Sequence, residues 1–101
     1  MEDPIVRIRK RHPGKVPCIV HFKDHKHKFI VAQDITMAEL MQYTRKQITK
    51  KQESHLRATK ALFFMCGDKM LQGTMTAGTL DHDIKNTGTV DIQCLEENVF
   101  G

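Results

Sequence analysis

Val16-Pro17-Cys18-Ile19-Val20-His21-Phe22 is a strand pattern: Val16, Cys18, Val20 and Phe22 alternate with Pro17, Ile19 and His21. That period of two puts one set of side chains on each face of a sheet. Beyond it, the polar segment Lys23 to Lys28 reads as a turn and Phe29-Ile30-Val31 as a second strand, giving a hairpin with a loose loop. Upstream, residues 3–12 read as a short helix. Asp3 suits its N-cap, Pro4 its first turn, Ile5 and Ile8 share a face, and Pro13-Gly14 stops it. Downstream, Thr36 and Glu39 have capping-box spacing. Met37, Leu40, Met41, Thr44 and Ile48 then fall on one face of a helix, and Lys46 to Ser54 reads as a solvated last turn and loop.

Ala61 to Cys66 is an apolar run of strand length, with Leu62 and Phe64 expected toward the core and Phe63 and Met65 away from it. Gly67-Asp68 marks a turn and Met70-Leu71 a brief strand. Residues 72–88, rich in Gly, Thr and Asp, allow a short helical turn near Leu80, and Val90, Ile92 and Cys94 alternate as a last strand. Two hairpins flanking one amphipathic helix predict a two-layer α+β domain. A ubiquitin-like β-grasp fits best: a mixed sheet of four to five strands, one main helix packed across it, and a short N-terminal helix. The whole chain, 1–101, reads as one domain, with 1–14 a helical extension and 96–101 a flexible tail.

The composition narrows the class. With 101 residues of which 40% are apolar, the chain supports one modest core and is too hydrophobic for a disordered tail. No apolar run approaches the ~20 residues of a spanning helix, and the acidic opening Met1-Glu2-Asp3-Pro4 does not resemble a secretory signal. Cys18, Cys66 and Cys94 are odd in number, lack a C-x-x-C pair and lie in apolar runs. They read as buried reduced thiols of a cytosolic protein. The net charge of +4 is uneven: Arg7, Arg9, Lys10, Arg11 and Lys15 crowd the start, and Glu96 and Glu97 sit near the end.

The stretch Arg7-Ile8-Arg9-Lys10-Arg11-His12-Pro13-Gly14-Lys15-Val16-Pro17-Cys18-Ile19-Val20 resembles the R-I-R-K-x-x-P-x-[KR]-V-P-V-I-V block of the ubiquitin-like autophagy modifiers. These are the family of autophagy-related protein eight and the GABA-receptor-associated protein. Further blocks match in the same order: Lys26-His27-Lys28-Phe29-Ile30-Val31, Asp34-Ile35-Thr36, Arg45-Lys46-Gln47-Ile48, Ala61-Leu62-Phe63-Phe64 and Glu97-Asn98-Val99-Phe100-Gly101. Each block alone is weak, but together they span residue 7 to the end. Ala32 stands where the family usually has proline, and Thr89 where it has a large aromatic.

The resemblance implies a cytoplasmic modifier that resides on the autophagosomal membrane when lipidated. Gly101 would be adenylated by an activating enzyme, passed as a thioester to a conjugating enzyme, and joined to phosphatidylethanolamine. Glycine suits that role because it is the least hindered residue. A sequence ending at Gly101 would need no protease to expose it.

The resemblance also implies binding of adaptor and cargo-receptor peptides of the form aromatic-x-x-aliphatic. Lys28, Phe29 and Ile30 match the family's edge strand. Ile8, Pro17 and Ile19 match its aromatic pocket, with Lys26 and Lys28 beside it. Val31, Ile35, Leu40 and Tyr43 match its aliphatic pocket, although Val31 and Leu40 equally suit plain core positions. Lys15 and the basic helix would favour acidic residues flanking the motif.

Three other readings remain open. The sibling modifier twelve also ends in an aromatic-Gly pair but is attached to a protein lysine; residues 7–20 resemble it less. A nucleic-acid-binding module would use the basic cluster, but no stacking aromatics interleave it, so no nucleic acid partner is expected. An enzyme is not expected either. The six histidines have no Ser or Cys partner at a recognisable spacing, no H-x-x-x-H metal pair occurs, and no cofactor or metal is implied. His25 and His27 read as solvated loop residues.

Overall fold

The computed structural model describes residues 3–52, 61–85 and 87–97. In chain order the elements are α1 (Pro4–Arg11), β1 (Lys15–Phe22), β2 (His25–Ala32), α2 (Met37–Gln52), β3 (Ala61–Cys66), β4 (Lys69–Met70), α3 (Ala77–Asp83) and β5 (Val90–Glu97). The five strands form one mixed sheet in the order β2-β1-β5-β3-β4. β1 is antiparallel to β2 and parallel to β5, and β5 is antiparallel to β3. This is the α+β β-grasp arrangement that the sequence predicts.

The core lies on one face of the sheet. Val16, Cys18, Val20 and Phe22 of β1, Phe64 of β3 and Val90, Ile92 and Cys94 of β5 are buried there, with Met37, Leu40 and Ile48 of α2. The capping box forms as its spacing demands. Thr36 N and Thr36 Oγ1 donate to Glu39 Oε1 at 3.3 and 3.0 Å, and Glu39 N donates to Thr36 Oγ1 at 3.2 Å. Buried Thr44 is satisfied within its own helix, its hydroxyl donating to Leu40 O at 2.8 Å.

Several expectations are corrected. The first hairpin is tight: Phe22 pairs with His25, so only Lys23 and Asp24 turn the chain, with Lys23 at φ 53°. His25 through Lys28 therefore belong to β2, and His27, opposite Val20, is buried. The polar residues hid the strand: Lys26 and Lys28 face outward, and His25 and His27 stand at the core-facing positions where apolar residues would have marked the period. Cys66 is half-buried at the end of β3, whereas Cys18 and Cys94 are buried. Burial pushes the Cys18 thiol up to about 12, with nearby Asp81 acting in the same direction, so it stays protonated and unreactive. α2 continues to Gln52, so helix takes up most of the stretch 46–54 expected as a solvated last turn and loop, and Ile48 within it is buried. β5 runs to Glu97, so residues 96 and 97, expected in the tail, belong to the sheet, while residues 53–60 and 98–101, including Gly101, lie outside the described residues.

α1 is held mainly by a charge clamp. None of its residues is fully buried. Arg9 reaches from it to Asp81 of α3, with Nη2 to Oδ1 at 2.6 Å and Nη1 to Oδ2 at 3.3 Å. The same guanidinium donates from Nη2 and Nε to Gly88 O at 2.8 and 3.1 Å. The Asp81 side chain is only 5% exposed, so Arg9 supplies a partner to a nearly buried carboxylate. One member of the basic N-terminal cluster is thus structural. Arg9→Ala is expected to cost about 3 kcal/mol in urea unfolding, because it strands a buried carboxylate; a loss under about 0.5 kcal/mol would mean the pair contributes nothing net.

Candidate functional site

β2 is an outer strand of the sheet, so one row of its backbone N–H and C=O groups faces away from β1. Its two faces differ. His27, Phe29 and Val31 lie on the core face, opposite Val20, Cys18 and Val16. Lys26, Lys28 and Ile30 lie on the outer face, opposite His21, Ile19 and Pro17. α1 packs against β1, and α2 lies on the core side. The edge thus runs between two helices on opposite faces.

On the α1 side, Ile8 and Ile19 are half-buried, Pro17 is buried, and Lys15, Lys26 and Lys28 are exposed. On the α2 side, a groove of about 340 Å³ is lined by Ile30, Val31, Ala32, Asp34, Ile35, Glu39 and Tyr43. Tyr43 exposes 48% of its surface on the groove side and Ile30 44% on the outer face, so each side of the edge offers an apolar contact. Phe29 and Ile35 are half-buried against the core, and Val31 is nearly closed off at 9%.

Leu40 is a correction. It is 0% exposed and belongs to the core, on the same helical stripe as Met37, Thr44 and Ile48, and it does not line the groove. The groove instead uses the adjacent ridge, Glu39 and Tyr43, four residues apart. Ala32, Asp34 and Glu39 are the lining residues that sequence reasoning missed. The i, i+4 spacing of Glu39 and Tyr43 beside the core stripe was the available signal.

The groove rim is braced from α3. Ala77 N donates to Ile35 O at 3.0 Å and Gly78 N to Gln33 O at 2.8 Å, while Met37 N and Ala38 N donate to Met75 O and Gly73 O. Gly78 eases this approach: a Cβ there would crowd Gln33, lying 3.0 Å from its O and 3.2 Å from its Cβ. Residues 33–38 are therefore fixed relative to the edge. The distinction between core and lining has a direct readout. Leu40→Ala is expected to lose about 2–5 kcal/mol in chemical denaturation, and Tyr43→Ala under about 1 kcal/mol. Equal losses would contradict the assignment.

The family model described as "Autophagy protein Atg8 ubiquitin like" matches residues 2–101. Among solved structures, the crystal structure of Trypanosoma brucei ATG8 is similar, with a TM-score of 0.76 at 24% sequence identity, covering 96% of this chain and 85% of that one. The structural likeness shows a shared fold, and the match across nearly the whole sequence shows the family: this chain belongs to the Atg8 ubiquitin-like autophagy proteins.

Proposed function

We propose that this protein is an autophagy modifier and peptide-binding module rather than an enzyme. Its Gly101 is activated, carried as a thioester by a conjugating enzyme and joined to phosphatidylethanolamine, and its β2 edge recruits adaptors and cargo receptors. The protein then divides between the cytoplasm and the autophagosomal membrane. Family membership supports the conjugation half.

The observation that carries the binding half is the position of β2, an open edge between α1 on one face and α2 on the other. A peptide added to this edge gains backbone hydrogen bonds, and its side chains alternate between the faces. Residues separated by an odd number of positions point to opposite faces. In an aromatic-x-x-aliphatic motif the two anchors are three positions apart, about 10 Å in an extended strand. One anchor therefore reaches the α1 side while the other reaches the groove by Ile35 and Tyr43. Lys28 and Val31 of β2 have the same spacing and the same division between faces. A peptide parallel to β2 thus places its aromatic residue near Lys28 and its aliphatic residue near Val31.

Two measurements test the halves separately. With activating and conjugating enzymes, ATP and vesicles containing phosphatidylethanolamine, intact mass should show a lipid adduct that Gly101→Ala abolishes. An unmodified mass, or an adduct on a protein lysine instead, rejects the lipid target. In calorimetry, Tyr43→Ala should weaken an aromatic-x-x-aliphatic peptide about fivefold, as expected from loss of roughly 1 kcal/mol of apolar contact. Unchanged affinity removes the groove from the site.

A further inference from the structure

We propose that the Arg9–Asp81 pair, which lies outside the groove, positions the α1 wall of the β2 edge and so sets the affinity for whichever peptide anchor reaches that wall. This rests on the peptide-binding reading above and deepens it: Arg9 and Asp81 are positioning residues for the same site.

The wall has little of its own to hold it. None of the residues of α1 is fully buried, and its apolar Ile5 and Ile8 are only half-buried. A cavity of about 360 Å³ opens where α1 meets residues 87–88, lined by Ile5, Val6, Lys10, Thr87 and Gly88 beside Arg9. The helix is therefore not wedged against the chain on that side. It joins β1 through Pro13 and Gly14, and Gly14 has a φ of 83° with open space where a Cβ would stand. Such a joint opposes a swing of the helix only weakly.

Arg9 bridges this gap. Its guanidinium reaches the Asp81 carboxylate through both Nη atoms and Gly88 O through Nη2 and Nε. A planar fork on two acceptors fixes direction as well as distance. Asp81 is itself anchored, since the start of α3 donates from Ala77 N and Gly78 N to Ile35 O and Gln33 O. Ile8, next to Arg9 in the chain, is what α1 offers on that side of the edge, with Pro17 and Ile19 of β1. With the pair intact, Ile8 is preorganised for an anchor; without it, a bound anchor must first order the helix. The groove by Ile35 and Tyr43 is braced by the α3 backbone instead, so the other anchor does not depend on the pair.

The test is a double-mutant cycle in calorimetry. Wild-type protein and Asp81→Asn are each titrated with Asp-Asp-Phe-Ser-Ser-Leu and with versions carrying Ala in place of Phe or of Leu. Asp81→Asn keeps the side-chain shape and removes the charge. It should bind the parent peptide about fivefold more weakly, the size of one apolar contact. One Ala peptide, lacking the anchor at the wall, should bind both proteins equally; the other should keep the fivefold difference. Hydrogen exchange should quicken in the amides of α1 and stay unchanged in β5. Arg9→Lys, which keeps the charge but not the fork, should fall between, at about twofold. It carries the same cycle if circular dichroism shows Asp81→Asn unfolded.

Equal affinity of wild type and variant for the parent peptide overturns the proposal, whether or not α1 exchanges faster. A difference that both Ala peptides share, or both escape, overturns it too, because the effect then belongs to no one wall. If the wild type depends on both anchors while the variants change nothing, only this inference fails. If the wild type depends on neither anchor, the binding reading fails and takes this inference with it.

Discussion

The parallel pairing of β1 with β5 is the constraint on which the rest of the molecule depends. Cys18, Ile19, Val20 and His21 align with Val90, Asp91, Ile92 and Gln93, joining the first hairpin to β3 and β4. Both strands place every second residue in the core. A one-residue slip would turn Val16, Val20 and Ile92 outward and bring Lys15, Asp91 and Gln93 inward, so burial fixes the register. With β1 committed to β5 on one side and β2 on the other, β2 is left as an edge. The candidate binding surface is thus a by-product of how the core closes.

The two helices flanking that edge are secured by different physics. α2 is held by apolar burial and by its capping box, interactions that tolerate small changes in neighbouring charge. α1 buries little and relies on Arg9, whose guanidinium satisfies both a nearly buried carboxylate and a backbone carbonyl. The α1 wall of the edge is therefore tied electrostatically to α3, the element that also braces the groove rim through Ala77 and Gly78. One short helix, Ala77–Asp83, connects to both sides of the site. In sequence it is the least conspicuous element, with two glycine-and-threonine-rich flanks and few apolar residues.

The hairpin shows how a strand escapes detection. His25-Lys26-His27-Lys28 is polar throughout, yet it continues the ladder to the tip. A two-residue turn suffices because Lys23 adopts a positive φ, a conformation more usual for glycine or asparagine. Propensity argued for a longer loop, and the pairing with an apolar β1 overrode it. The same override buries His27, whose ring lies 6.5 Å from that of His25 between centroids.

Periodicity in β1, α2, β3 and β5 determined the fold class, because alternation and helical spacing record which face meets the core. The residues of the family blocks also marked β2 as the edge to inspect. Only the tertiary structure decided which marked residues are reachable: Tyr43 is open while Leu40, three positions earlier on the same helix, is sealed. It likewise separated Arg9, closed onto Asp81, from the exposed lysines of the edge, and brought Asp34 into the groove beside Tyr43. A linear sequence carries hydrophobicity and spacing, but whether a side chain packs inward, pairs with a distant charge or stands at a rim depends on neighbours supplied by remote segments.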